Sequence, residues 1–150
     1  MKYLIDQHEK TIKMSNIINT YINAHLQWIS KLTAAIYGGQ IPDRDVASVD
    51  NVCALGKWIH GEGNQLYGNA KEFAELREKH RRFHLAVGQV IDLVNANKMD
   101  EAKAEIASGE FRQISGEVIN LLSRLRNSIK GADTARSPIA TKVAGHGLNP

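Results

Sequence analysis

A chain of 150 residues, 43% apolar and 23% charged, is long enough to bury one core without disulfides, and that composition excludes collagen-like, purely coiled-coil and wholly disordered chains. Nineteen Lys and Arg against sixteen Asp and Glu leave a net charge of +3, too small a surplus to argue for nucleic acid or an anionic membrane as partner. The start of the chain turns polar at Asp6 without a secretory leader, no run of about 18 uncharged apolar residues occurs, and the single cysteine, Cys53, fits a reducing compartment, so the expectation is a soluble cytoplasmic protein with no membrane insertion.

From about Asp6 to Tyr37 there is no Pro or Gly, and Ile18, Tyr21, Ile22, His25, Trp28, Ile29, Leu32 and Ile36 recur mostly at helical spacing. This predicts one long amphipathic helix, ended by Gly38-Gly39 and followed by a loop to about Ser48. Ser48 or Asp50 then caps a short helix from about Asn51 to His60, with Cys53 in its first turn, and Gly61-Glu62-Gly63 closes it. Beyond a polar connection ending near Gly68, the residues Phe73, Leu76, His80, Phe83, His84, Val87, Val90, Ile91 and Val94 mark a strong stripe running to about Asn97. Asp100 caps a fourth segment through Ile106, Gly109 is a kink or a boundary, and a last stripe from Phe111 to Ile129 continues to Lys130. Residues 131–150 are small, polar and broken by Pro138, Gly145 and Gly147, which reads as a disordered tail behind a helical bundle of residues 1–130. No segment alternates as a strand does. The predicted fold class is all-α, an antiparallel four-helix bundle with a short extra helix carrying the cysteine.

Four polar residues occupy positions on these stripes where Leu is expected: His25, Cys53, His80 and His84. His80 and His84 are four apart, so one helix face offers two imidazoles a turn apart. Singly, each has a bland explanation as a hydrogen-bonded core histidine or a small buried thiol. Together, three imidazoles and one thiolate from three segments form a donor set suited to tetrahedral zinc. Such a site is closed, with no open position for a water, which points to a structural or sensory role and away from catalysis. With Asp50 as cap, Cys53 lies near the positive end of a helix dipole, which together with the nearby metal favours the oxidisable thiolate; Asp50 is also a candidate acceptor for a ligand imidazole.

The stretch Asp50-Asn51-Val52-Cys53-Ala54-Leu55-Gly56-Lys57-Trp58 resembles the Cys-x-Leu-Gly-Lys-Trp signature of the chemoreceptor zinc-binding (CZB) domain family. His25-Leu26-Gln27-Trp28 is similar to that family's His-x-x-Trp, and His80-Arg81-Arg82-Phe83-His84 to its His-x-x-Phe-His, in the same order; the likeness spans about residues 15 to 130. The resemblance implies that His25, Cys53, His80 and His84 are the four zinc ligands, that the fold is a four-helix bundle with a short inserted helix, and that the chain forms a homodimer. It further implies a non-enzymatic regulatory role in bacterial signal transduction, in chemotaxis or diguanylate cyclase control, responding to zinc level or to oxidation of the cysteine, for example by hypochlorous acid. Family members usually sit within longer signalling proteins; this sequence shows neither a methyl-accepting coiled coil nor a cyclase domain, so it is a free-standing member acting on a separate protein or a piece of a longer one.

Other features carry less. Ile5, Ile12 and Ile17 widen the apolar surface of the first helix, consistent with pairing to a second copy. Trp28, Trp58 and Phe83 read as packing that shields the metal, and His8, His60 and His146 as solvated. The run Arg77, Lys79, Arg81, Arg82 is interleaved with Glu75 and Glu78 and reads as a solvated face. A di-iron or oxygen-binding bundle requires Glu-x-x-His pairs, but Ile5, Ile22, Lys57, Arg77, Arg81 and Val143 stand three before the histidines. A cysteine-nucleophile enzyme and a plain helical dimerisation module complete the alternatives.

Overall fold

The computed structural model describes residues 2–136, with side chains from 5 to 132. Among the described residues the chain is all-helical: α1 (Lys2–Ile36), α2 (Arg44–Ala47), α3 (Ala54–His60), α4 (Glu62–Tyr67), α5 (Lys71–Asn95), α6 (Met99–Ser108) and α7 (Glu110–Arg136). The long helix α7 lies along both α1 and α5, α6 touches all three, and α2 rests on α5.

The stripes explain this arrangement. Every apolar position predicted for α5 is buried, as are Ile18 and Leu32 of α1 and Phe111, Val118 and Leu122 of α7, and each such side chain removed from water contributes about 1.5–3 kcal/mol. A polar link, from the Arg126 Nη1 of α7 to the Asn19 Oδ1 of α1 at 2.7 Å, fixes the register of that pair. The basic run on α5 is paired at the surface: Lys79 with Glu117 of α7 at 3.0 Å, Arg81 with Glu78 at 2.6 Å, and Arg82 with Glu110 at 3.8 Å.

Helix ends differ from expectation in instructive ways. Gly38 takes φ 95°, and the Gly39 N–H reaches back to the Ala34 carbonyl at 2.7 Å, so α1 stops where the glycine pair predicts. Asn97, at φ 61°, does the same for α5, with the Lys98 N–H on the Leu93 carbonyl at 2.8 Å. Gly109 is a boundary rather than a kink, since its ψ of −166° breaks the helix between α6 and α7. Lys98, not Asp100, stands at the N-cap of α6. Two short helices lie where connections were expected, α2 and α4. The last helix runs on through Arg136, past the expected bundle end at 130, and the rest of the expected tail lies outside the described residues. No helix among the described residues is long and apolar enough to cross a membrane.

Candidate metal centre

Three of the four expected ligands converge. The Cys53 Sγ lies 3.4 Å from the His80 Nε2 and 3.5 Å from the His84 Nε2, and the two ring nitrogens are 3.1 Å apart. Tetrahedral zinc with the usual Zn–S and Zn–N bond lengths needs N···N of about 3.3 Å and N···S of about 3.6 Å, so this triangle already fits three corners of a zinc site. The donor atoms are one sulfur and two imidazole nitrogens, with no carboxylate oxygen among them, which is zinc chemistry rather than di-iron chemistry.

The helix α5 supplies both histidines on its core face, and both rings are buried. The tautomer of His84 is set by the 2.7 Å contact of its Nδ1 with the Ala47 carbonyl: Nδ1–H donates, leaving the Nε2 lone pair toward the cluster. The Nδ1 of His80 is buried with no hydrogen-bond partner.

Cys53 reaches the cluster from the connection before α3, and it is itself the N-cap of that helix. Its Sγ accepts the Gly56 N–H at 3.3 Å, and the Lys57 N–H on the Cys53 carbonyl at 3.0 Å begins the helical ladder. The expected caps are therefore corrected: Ser48 ends α2, Asp50 lies outside α3, and the helix begins at Ala54. Gly56 is required here, because a Cβ on it would sit 1.9 Å from the Asp50 carbonyl oxygen, which belongs to backbone that has no side-chain freedom with which to yield. The helix end by itself does not hold Cys53 as thiolate: burial pushes the Cys53 thiol up, the N–H groups of Gly56 and Leu55 only partly offset it, and the Asp50 carboxylate adds to the rise. A bound cation has to displace the proton.

His25 of α1 is buried beside the cluster but is not within it. Its ring centroid is 5.4 Å from that of His80, 6.3 Å from that of His84 and 4.4 Å from that of Phe83, and its Nδ1 is buried without a partner. Burial, helped by the proximity of His84, holds His25 down to about 3, and His80 is likewise lowered by burial and by the His84 and His25 rings. His84 is lowered by burial against the opposing pull of the Ala47 carbonyl and Asp50. All three rings are thus neutral at neutral pH, with lone pairs free to bind a cation.

Trp28 meets His84 edge-on, with ring centroids 6.2 Å apart. Trp58 instead packs on Tyr21, Tyr67 and Phe73. Asp50 does not hold a ligand imidazole: its Oδ2 lies 3.3 Å from the Nε2 of His60, a histidine expected to be free in solvent. The group that holds the ligand ring is the Ala47 carbonyl, which sequence reasoning missed. A main-chain oxygen carries no residue identity; the available signal was Asp43 after Pro42, an N-cap whose Oδ1 accepts the Asp45 N–H at 2.9 Å and so starts α2.

Neither curated proteins nor solved structures give a match to this chain. The family model of the chemoreceptor zinc-binding domain matches residues 25–91, a span that begins at His25 and takes in Cys53, His80 and His84. Motif, helical fold and donor geometry agree with that match: residues 25–91 are similar to the chemoreceptor zinc-binding domain, and Cys53, His80 and His84 within them form a candidate site for the zinc that this family binds.

Proposed function

We propose that this chain is a non-catalytic sensory domain of bacterial signalling, of the chemotaxis or cyclic-di-GMP type, in which His25, Cys53, His80 and His84 hold one zinc ion. The observation that carries this reading is the triangle of Cys53 Sγ and the two Nε2 atoms, spaced as zinc requires. What supports His25 as fourth ligand is its buried, unpartnered Nδ1 and its ring against His80. Zinc bound there would supply a closed cross-link and stabilise Cys53 as thiolate, with no position left to activate water. His25 stands just outside the cluster, with its ring 5.4 Å from that of His80, so joining it requires that ring to turn or shift toward the donor atoms, and the order of α1 then follows occupancy.

The architecture belonging to this reading is an antiparallel four-helix bundle of α1, α5, α6 and α7, with α3 as the short extra helix behind the cysteine. It acts as a cytoplasmic homodimer on a signalling protein, separate or covalently joined, with no nucleic-acid partner. Exposed Ile5 and Ile12 on α1 support pairing. Oxidation is the second input. The Cys53 thiolate attacks the chlorine of hypochlorous acid, breaking the O–Cl bond and releasing hydroxide; water then displaces chloride from the sulfenyl chloride, losing a proton, and leaves a sulfenic acid, a poor zinc ligand. The test is to add one equivalent of hypochlorous acid to the zinc-loaded protein. Zinc release to an indicator, faster amide exchange in α1, and sedimentation of the untreated protein as a dimer are the expected results. Retained zinc with unchanged exchange, or a monomer at micromolar concentration, contradicts the respective part of the reading.

A further inference from the structure

Helix α2 is four residues long, too short to be stable on its own, and yet it is held against α5 at three points along one line. At the first, the Ala47 carbonyl accepts from the His84 Nδ1 at 2.7 Å. At the second, Ser48 presses on Gly88: a Cβ built on that glycine would lie 2.8 Å from the Ser48 Cβ. At the third, the Arg44 guanidinium grips Asp92 in a fork, Nε to Oδ1 at 3.1 Å and Nη2 to Oδ2 at 3.2 Å. Positions 84, 88 and 92 are successive turns of one face of α5. The pair at the outer end is solvent-exposed, so its use is directional rather than energetic. The middle contact sets the distance, because only a residue without a Cβ lets the Ala47–Ser48 backbone come close enough for the carbonyl to reach the imidazole.

We infer that α2 is a positioning element for the His84 ligand, and that Gly88 and Ser48 set the approach which orients its ring. The inference rests on the zinc reading of the cluster, since orienting Nε2 matters through the metal it serves. None of Arg44, Ala47 and Ser48 reaches the donor atoms of the cluster; they act through the far side of the His84 ring and its helix. The consequence is that the connection between α1 and α3, an exposed surface segment, is mechanically joined to the metal centre. A pull on α2 loosens a ligand.

The test uses the full chain as Gly88→Ala and as the double variant Gly88→Ala with Ser48→Gly. Alanine is the better helix former, so α5 is not weakened by the first change. In the double variant the clashing Cβ is gone, and the nearest Ser48 atom left to the new methyl is its Cα at 3.7 Å, an ordinary contact. Two quantities are read: zinc affinity by competition with a chromophoric chelator, and the tautomer of His84 in the zinc-free protein from its ring nitrogen shifts. The expectation for Gly88→Ala is zinc binding roughly 10–100-fold weaker, with the Nδ1–H tautomer of His84 no longer dominant. The double variant recovers both. Wild-type affinity in Gly88→Ala, or a loss that Ser48→Gly does not recover, overturns the inference. Should the wild-type chain take up no zinc, the reading of the centre fails while the tautomer comparison still decides whether α2 orients His84.

Discussion

Stripping zinc from the loaded protein with a chelator is expected to lower its thermal midpoint by roughly 8–16 °C. A ligand present at a thousand times its dissociation constant stabilises the state that binds it by about 4 kcal/mol, and a chain of this length shifts by about 2–4 °C per kcal/mol. The protein does not unfold on zinc loss as a zinc finger does, because the long helices carry an apolar core of their own, from Ile18 of α1 through Phe83 of α5 to Leu122 of α7. With the proposed ligand set, what is lost is the tie between the connection holding Cys53 and the α5 face, and with it the tie to α1 that His25 would make. The buried nitrogens of His25 and His80 that already lack partners make the zinc-free centre a costly one, at about 1–3 kcal/mol for each unsatisfied group. Differential scanning calorimetry with and without chelator measures the shift, and a midpoint unchanged within about 2 °C contradicts the account.

The second large effect is at Phe83. Its ring is fully buried, 4.4 Å from His25, 5.2 Å from His84 and 5.6 Å from Phe111 of α7. It is therefore the wall that separates the cluster from the core and the surface against which His25 is held. Phe83→Ala is expected to cost about 3–5 kcal/mol in urea unfolding of the zinc-free protein, from lost burial and the cavity left behind. It is also expected to weaken zinc binding, since the His25 ring loses its support. Leu85→Ala provides the contrast: two positions along the same helix, 46% exposed and off the core face, it should change stability by less than about 1 kcal/mol. Equal costs for the two variants would mean that the α5 face is not the one described.

Much of this was legible from residue types alone. The α5 stripe, nine apolar and imidazole positions at helical spacing, is buried as written, and the pair His80 and His84 falls on that face because spacing by four fixes it. The convergence of Cys53 on the pair was legible as a donor set, not as a geometry. Periodicity loses its power where helices are short. The four residues of α2 and six of α4 are too few to show an apolar period, and so both were expected as loop. The start of α3 was placed too early because Asp50 and Ser48 are common caps, whereas the thiol of Cys53 takes that place by accepting from Gly56. The support of His84 by a main-chain carbonyl and the need for glycine at position 88 depend on how two segments approach, which residue identities do not encode.

Elemental analysis of the purified wild-type chain beside Cys53→Ala and His25→Ala, after expression in zinc-containing medium, tests the zinc centre most directly. The account predicts about one zinc per wild-type chain, with marked loss in Cys53→Ala and weakened retention in His25→Ala. A wild-type protein that carries no zinc, or a Cys53→Ala variant that keeps it as firmly as the wild type, would contradict it.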